Sequence, residues 1–240
     1  MAYAYQRTLF EQVAARERPP TISITPSTRH VGVTRKDTLR RGFDRAVREA
    51  HEEGCPVLVR GSGGGATAAG PGTLGFSVIC PSQDAQRGIN ERYDEAAALV
   101  LGAFLRLGID VAEVGEVKDE FCPGDRSIRV GSFENGMKLV GIAQRLTRRA
   151  MSVGGIVLVG GETELARILV RVYAALDLPF RPGSVGSLHR TGSKAKVEEV
   201  VGALVEEAKL RYEATPVPLD KRTRALIRIR CNECLVRPSV

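Results

Sequence analysis

An α+β fold with a mixed, largely antiparallel central sheet flanked by helices is what this sequence predicts, and three observations predict it. Amphipathic helical spacing recurs in four separated stretches. The segments between them read as short strands. Residues 126–161 carry strand after strand without helical spacing, which favours antiparallel neighbours over a wholly parallel, doubly wound sheet. At 240 residues, 43% hydrophobic and 26% charged, the chain is long enough to bury a real core.

The elements follow in order. Strands are expected at 21–25 and 30–34. A helix over 37–53 places Leu39, Phe43, Ala46, Val47 and Ala50 on one face, with Asp37 set to cap it and Gly54 to stop it. Strands at 55–60 and 73–80 flank a glycine-dense loop. The helix at 90–107, through Tyr93, Ala97, Val100, Leu101 and Phe104, is apolar around much of its circumference and should be largely buried; Gly108 ends it. Strands at 111–114, 127–130, 138–146 and 150–159 come next. Leu165, Ile168, Leu169, Val172, Tyr173 and Leu176 form a third helix, and Val197, Val200, Val201, Leu204, Val205 and Ala208 a fourth, begun near Ser193. No repeat or composition break precedes Glu213, so residues 1–213 read as one domain. Two prolines then interrupt the chain, and residues 214–240 read as a basic tail.

Composition narrows the function classes. There is no long apolar run and no apolar leader, so the expected location is cytoplasmic, with no membrane partner. Five cysteines, an odd number without disulfide-framework spacing, read as reduced thiols. The net charge of +7, concentrated in Lys221, Arg222, Arg224, Arg228 and Arg230 and in Arg145, Arg148 and Arg149, favours encounter with acidic partners. With 5% aromatics, no Trp and no aromatic–basic interleaving, nucleic acid is not expected among them. A lone Cys231-Asn-Glu-Cys234 lacks the second ligand pair of a zinc site, so no metal is expected.

The most informative stretch is Arg60-Gly-Ser-Gly-Gly-Gly-Ala-Thr67. Ordering so many glycines is entropically costly, and is best explained where backbone takes positive φ or lies against a ligand. Gly61, Gly63 and Ala66 formally fit a dinucleotide fingerprint, but the chain proceeds to a strand where that site needs a helix. A Gly-Lys-Ser/Thr ending is absent, as is a G-x-S-x-G elbow, since Arg60 holds its first position. The second stretch is Phe121-Cys-Pro-Gly-Asp125. Pro-Gly puts Cys122 on a turn, where an exposed thiol can react, whereas Cys55 and Cys80 sit in apolar runs as buried small side chains. Asn135-Gly136 signals a hairpin that starts the next strand near Lys138, so that Cys122 and Lys138 can meet. An ammonium beside a thiol favours the thiolate, and a thiolate accepts acyl groups readily. Histidine bases are scarce: His51 lies on a polar helix face, His189 in a loop, and only His30 could pair with the cysteine.

Together these segments resemble the lipoate–protein ligase and octanoyltransferase superfamily, the lipoyl-attachment relatives of biotin–protein ligase. The resemblance spans most of 20–205. It rests on Arg60-x-Ser62-Gly63-Gly64-Gly65-Ala66, followed by Gly-x-Leu-x-Phe-Ser77, and on Asn135-Gly-x-Lys138-x-x-Gly141-x-Ala143-Gln-Arg145. It implies that superfamily's α+β catalytic-domain fold, with the Gly63–Ala66 backbone lining a slot for an eight-carbon chain. Adenylating ligases carry His-Asp beyond the glycine loop and Asn-Asp before the lysine strand; this chain has Ala69-Gly70 and Cys122-Pro-Gly-Asp125 there. Too little chain remains after 205 for the ligase accessory domain.

These departures resemble the cysteine-dependent branch, which moves octanoyl or lipoyl groups onto lysines of lipoyl-accepting proteins, the glycine cleavage H protein or dehydrogenase E2 domains. In that reading Cys122 is the nucleophile and Lys138 stabilises the oxyanion. Arg60, Ser62, Gly63, Gly64, Gly65, Ala66, Thr67, Val78, Gly141, Ile142 and Ala143 bind the acyl group, Val78, Leu139 and Ile142 supplying apolar walls. The protein is expected to act as a monomer without a required cofactor. Two alternatives stay open: an ATP- and magnesium-dependent lipoate ligase in which Cys122 is a bystander, and a non-catalytic module that binds a lipoyl protein or nucleic acid.

Overall fold

The computed structural model describes residues 2–237. Its larger sheet has the order β1 (Thr21–Pro26), β5 (Thr73–Pro81), β9 (Ala150–Leu158), β8 (Met137–Leu146), β7 (Ile128–Val130) and β6 (Glu113–Val114). Every pairing in it is antiparallel. A smaller sheet holds β10 (Leu235–Val236), β3 (Val57–Val59), β2 (His30–Val33) and β4 (Thr67–Ala69), with β2 and β3 parallel. The fold is thus α+β and largely antiparallel, with the expected sheet divided in two.

Helices α3 (Ile89–Arg106) and α5 (Val197–Tyr212) pack on one face of the larger sheet. There Phe76, Leu99, Phe104, Leu139 and Val157 are fully buried. Each large side chain removed from water contributes about 1.5–3 kcal/mol. Helices α2 (Phe43–Glu52) and α4 (Glu162–Ala175) enclose a second core with the smaller sheet, through Val47, Ala68, Leu169 and Val172. The opposite face of β5 is covered by α1 (Ala2–Ala14), whose Leu9, Phe10 and Val13 pack with Ile79. The face of the larger sheet that meets α1 and the smaller sheet carries small residues in register: Ser77 opposite Gly154, and Gly154 opposite Ala143. A trough is left where side chains would otherwise stand.

Three differences from the sequence reading have physical causes. The helix expected from 37 begins at Phe43, after a single 3-10 turn, Asp37–Leu39, and Leu39 is exposed. Asp37 does not cap α2, because its carboxylate accepts the Thr34 N–H and hydroxyl instead, both at 2.8 Å. α1 was not anticipated. The segment read as a basic tail contains α6 (Lys221–Cys234), capped by the Asp220 carboxylate, which accepts the Thr223 N–H. α6 packs on α1 and leads into β10, which pairs with β3. Among the described residues no helix is long and apolar enough to cross a membrane.

Candidate active site

Cys122 lies in the 117–127 loop between β6 and β7, and the sequence dictates the loop's closure. Glu120, almost fully buried, accepts hydrogen bonds from the Val117 N–H, the Gly124 N–H and the Ser127 hydroxyl. It also accepts one from the Lys138 Nζ at 3.0 Å. Lys138, the second residue of β8 and only 1% exposed, donates its other two hydrogen bonds to the carbonyls of Phe121 and Cys122, each at 2.9 Å, and lies over the Phe121 ring. A buried ammonium is tolerable only with this degree of pairing. The hairpin therefore brings Lys138 to the Cys122 loop as expected, but all three donors are engaged by that loop and the lysine does not line the cleft.

The loop holds Cys122 at φ 45°, a left-handed conformation rare outside glycine. Its N–H donates to the Tyr173 hydroxyl of α4 at 2.6 Å, and that hydroxyl donates to the Ala66 carbonyl at 2.9 Å. The sulfur is half-buried against the glycine loop. It accepts the Gly65 N–H at 3.3 Å and the Arg60 Nη2 at 3.2 Å. Arg60 also donates to the Gly65 carbonyl at 2.7 Å and the Ser62 hydroxyl at 2.8 Å. Burial alone would push the thiol pKa up. The Arg60 charge, the Lys138 charge and the Gly65 N–H bond outweigh it and hold the thiol below its ordinary value.

Gly64 explains the glycine run at one position. It has φ +103°, and a Cβ there would stand 2.4 Å from the Cys122 sulfur. The tight backbone approach is to the Cys122 sulfur. Gly63 donates its N–H to the Gln144 carbonyl, and Ala66 is buried beside Tyr173. None of Gly63, Gly64, Gly65 and Ala66 lines the cleft, contrary to their expected place along the slot.

The cleft beside the sulfur holds a cavity of about 100 Å³, open at its mouth. Arg60, Ser62 and Thr67 border it, as do Gly141, Ile142 and Ala143. Its floor is the trough of small residues on β5, β8 and β9, and Tyr3 and Gln6 of α1 close one side. Neither aromatic residue nor helix was legible as part of the site. Tyr3 is half-buried, and desolvation of its hydroxyl pushes the phenol pKa up. Val78 is displaced from its expected role. It alternates with Ser77 and Ile79, so it points to the α5 side, where it borders a different cavity; Leu139 is likewise in the main core. Ile142 borders the cleft while packing against that core.

His30 lines the cleft and stacks edge-on against Tyr3, but its Nδ1 bonds the Thr28 carbonyl and it makes no bond to Cys122. The thiolate is thus stabilised by a guanidinium and an amide, without a Cys–His pair among the described residues. Cys55 is buried, as expected, while Cys80 is only partly so. Among the described residues no group of three His, Cys, Asp or Glu side chains could hold a metal ion.

Residues 1–209 match the sequence model of a family described as "Lipoyl protein ligase A/B catalytic domain". Among curated proteins, the chain is 28% identical over 178 residues to a lipoyl-GcvH:protein N-lipoyltransferase of Listeria monocytogenes, covering 73% of this chain and 62% of that protein. It is 27% identical over 160 residues to an octanoyl-GcvH:protein N-octanoyltransferase of Anoxybacillus flavithermus, covering 67% and 56%. The chain therefore spans less than two thirds of the length of these relatives. Among solved structures, a lipoate-protein ligase A bound with ATP superimposes with a TM-score of 0.74 at 20% identity, covering 96% of this chain and 88% of that one. A bi-partite lipoate protein ligase from Thermoplasma acidophilum gives 0.68 at 19% identity, covering 97% and 87%. At these identities the structural likeness speaks to the fold.

Proposed function

The chain belongs to the lipoyl protein ligase A/B catalytic-domain family, and from that premise we propose that it is an acyltransferase moving octanoyl or lipoyl groups onto lysines of lipoyl-accepting proteins through a Cys122 thioester. The observation that carries this reading is the Cys122 sulfur held by Arg60 and the Gly65 N–H at the edge of a cleft floored by small residues. A ligase that passes an adenylate to its acceptor has no need of a lowered thiol pKa at that point.

The thiolate attacks the donor's acyl carbonyl, forming a carbon–sulfur bond. The tetrahedral oxyanion develops on the oxygen of the carbon now bound to the sulfur, two bonds from it, within reach of the same donors, Arg60 and the Gly65 N–H. Collapse breaks the donor's bond to its leaving group, which departs with the electron pair and takes up a proton. The acceptor lysine, as free amine, then attacks the thioester; a carbon–nitrogen bond forms, the thiolate leaves, and the amine's proton passes to solvent. Lys138 fixes the turn that aims the sulfur and adds positive charge near it. No step in this scheme consumes ATP or needs magnesium. Acceptors of the H-protein or E2 lipoyl-domain kind and a cytoplasmic setting belong to the same reading.

The test is intact mass after incubation with octanoylated H protein without ATP. Wild type gains a hydroxylamine-labile octanoyl adduct and Cys122→Ser gains none, with unchanged circular dichroism. Acceptor labelling that needs ATP and free lipoate, and survives in Cys122→Ser, would overturn the thioester scheme.

A further inference from the structure

When the acyl donor is itself an acylated lysine, as in octanoylated H protein, the bond that breaks is an amide, and its leaving group is an amine that departs only as it gains a proton. Few groups at the cleft can supply one. Lys138 has all three donors tied to the 117–127 loop and does not line the cleft. His30 gives its Nδ1 proton to the Thr28 carbonyl at 2.7 Å, and burial lowers its pKa, so its Nε2 carries none. Arg60 does not deprotonate, and the serine and threonine hydroxyls are far weaker acids than a phenol. Tyr3 is the acid that remains.

The fold makes room for its hydroxyl. Gly32 of β2 faces Thr67 of β4, and a Cβ on Gly32 would overlap the Tyr3 hydroxyl, so the missing side chain is what admits the phenol. That hydroxyl is hydrogen-bonded to the Thr67 hydroxyl, two residues beyond Gly65, whose N–H holds the Cys122 sulfur. The ring lies edge-on against His30, which fixes its direction. Tyr3 thus borders the cleft at its reacting end, with Arg60, Ser62 and Cys122.

Arg60 couples this phenol to the nucleophile. Burial raises the Tyr3 pKa most, the Arg60 charge and the Thr67 hydrogen bond oppose it, and the Cys122 thiolate raises it further. A protonated phenol therefore accompanies the free thiolate. Once the sulfur carries the acyl group its charge is gone while that of Arg60 stays, so the phenol becomes a stronger acid as the amine has to leave. An ordinary phenol pKa of about 10 lies close to that of a lysine amine, about 10.4, and the proton can pass in either direction.

We propose that Tyr3 is the general acid that protonates the leaving nitrogen of an acyl-lysine donor. This rests on the acyl-transfer reading above. The carbon–nitrogen bond breaks with its electron pair going to nitrogen, nitrogen takes the phenol's proton, and a phenolate remains beside Arg60. In the second half the acceptor nitrogen attacks the thioester and the thiolate leaves. The phenolate then stands nearer than bulk solvent to take the proton that this nitrogen sheds, which restores the starting state.

Two donors of the same acyl chain distinguish an acid from a mere wall of the cleft. Octanoylated H protein releases an amine, whereas S-octanoyl N-acetylcysteamine releases a thiolate, which leaves without a proton. The initial rate of Cys122 adduct formation is followed by intact mass in wild type and in Tyr3→Phe, which keeps the ring against His30. The ratio of the amide rate to the thioester rate is expected to fall about a hundredfold in Tyr3→Phe. A ratio equal to that of wild type, whether both rates persist or both fall together, reduces Tyr3 to packing and overturns the assignment. Acylation of wild type by the thioester alone overturns it as well, since no amine then leaves. If wild type forms an adduct with neither donor, transfer through Cys122 itself fails, and the role of Tyr3 falls with it.

Discussion

Cys122 combines a strained backbone with a stabilised charge, and both follow from partners distant in sequence. Its left-handed φ costs on the order of 1 kcal/mol or more and persists because Tyr173 and Lys138 fix the amide on one side and the carbonyl on the other. Alkylation by iodoacetamide should show a pH midpoint below the ordinary thiol value of about 8.5. Arg60→Met should move that midpoint upward and lower acyl transfer by about a hundredfold, since it removes a donor from sulfur and oxyanion alike. The linkage has a definite sign. A thiol whose folded pKa lies below its unfolded value contributes stability that is complete above the unfolded value and is lost as pH falls through the folded one. Comparing denaturant midpoints of wild type and Cys122→Ser across that window should show a gap that closes toward acid. A midpoint unmoved by Arg60→Met would refute the guanidinium's part. Sequence made the meeting of Cys122 and Lys138 legible, because turn signals flank both. It could not show Arg60 reaching a sulfur 62 residues away, nor that Lys138 would spend every donor on the loop.

Among the elements, α4 has a role that its periodicity hides. Tyr173 occupies a core position of the apolar stripe, yet its hydroxyl joins the two loops of the site by accepting from Cys122 and donating to Ala66. Tyr173→Phe keeps the ring packing and removes both bonds, so it should cost about 1–3 kcal/mol in urea unfolding and slow adduct formation. Full stability and rate in that variant would leave the hydroxyl without a structural purpose. The helices with a continuous apolar stripe, α3, α4 and α5, were legible because each buries several turns against a sheet. α6 was not. It buries only Thr223, Ile227 and Cys234, and its arginines dilute the period below recognition. β4 escaped because it is three residues long and begins where the glycines end.

At the scale of the whole molecule, α1 and α6 support one another behind the cleft. Gln12 bonds Thr223 at 2.9 Å, and Ile227 packs with Ala4. Ile227→Ala should lower stability by about 2 kcal/mol, read as a fall in Tm, because the pocket it leaves cannot close around a helix held on one side. An unchanged Tm would mean that α6 is dispensable to the fold. The α1–α6 contact also has a bearing on the order of assembly. The helix that carries Tyr3 and Gln6 into the cleft lies far ahead of its support in the chain, Gln12 and Thr223 being 211 residues apart. Contacts of such wide sequence separation form late and slowly. A nascent chain therefore carries a complete thiol cradle for some time before the wall opposite it is braced, and the cleft takes its final shape only when α6 docks.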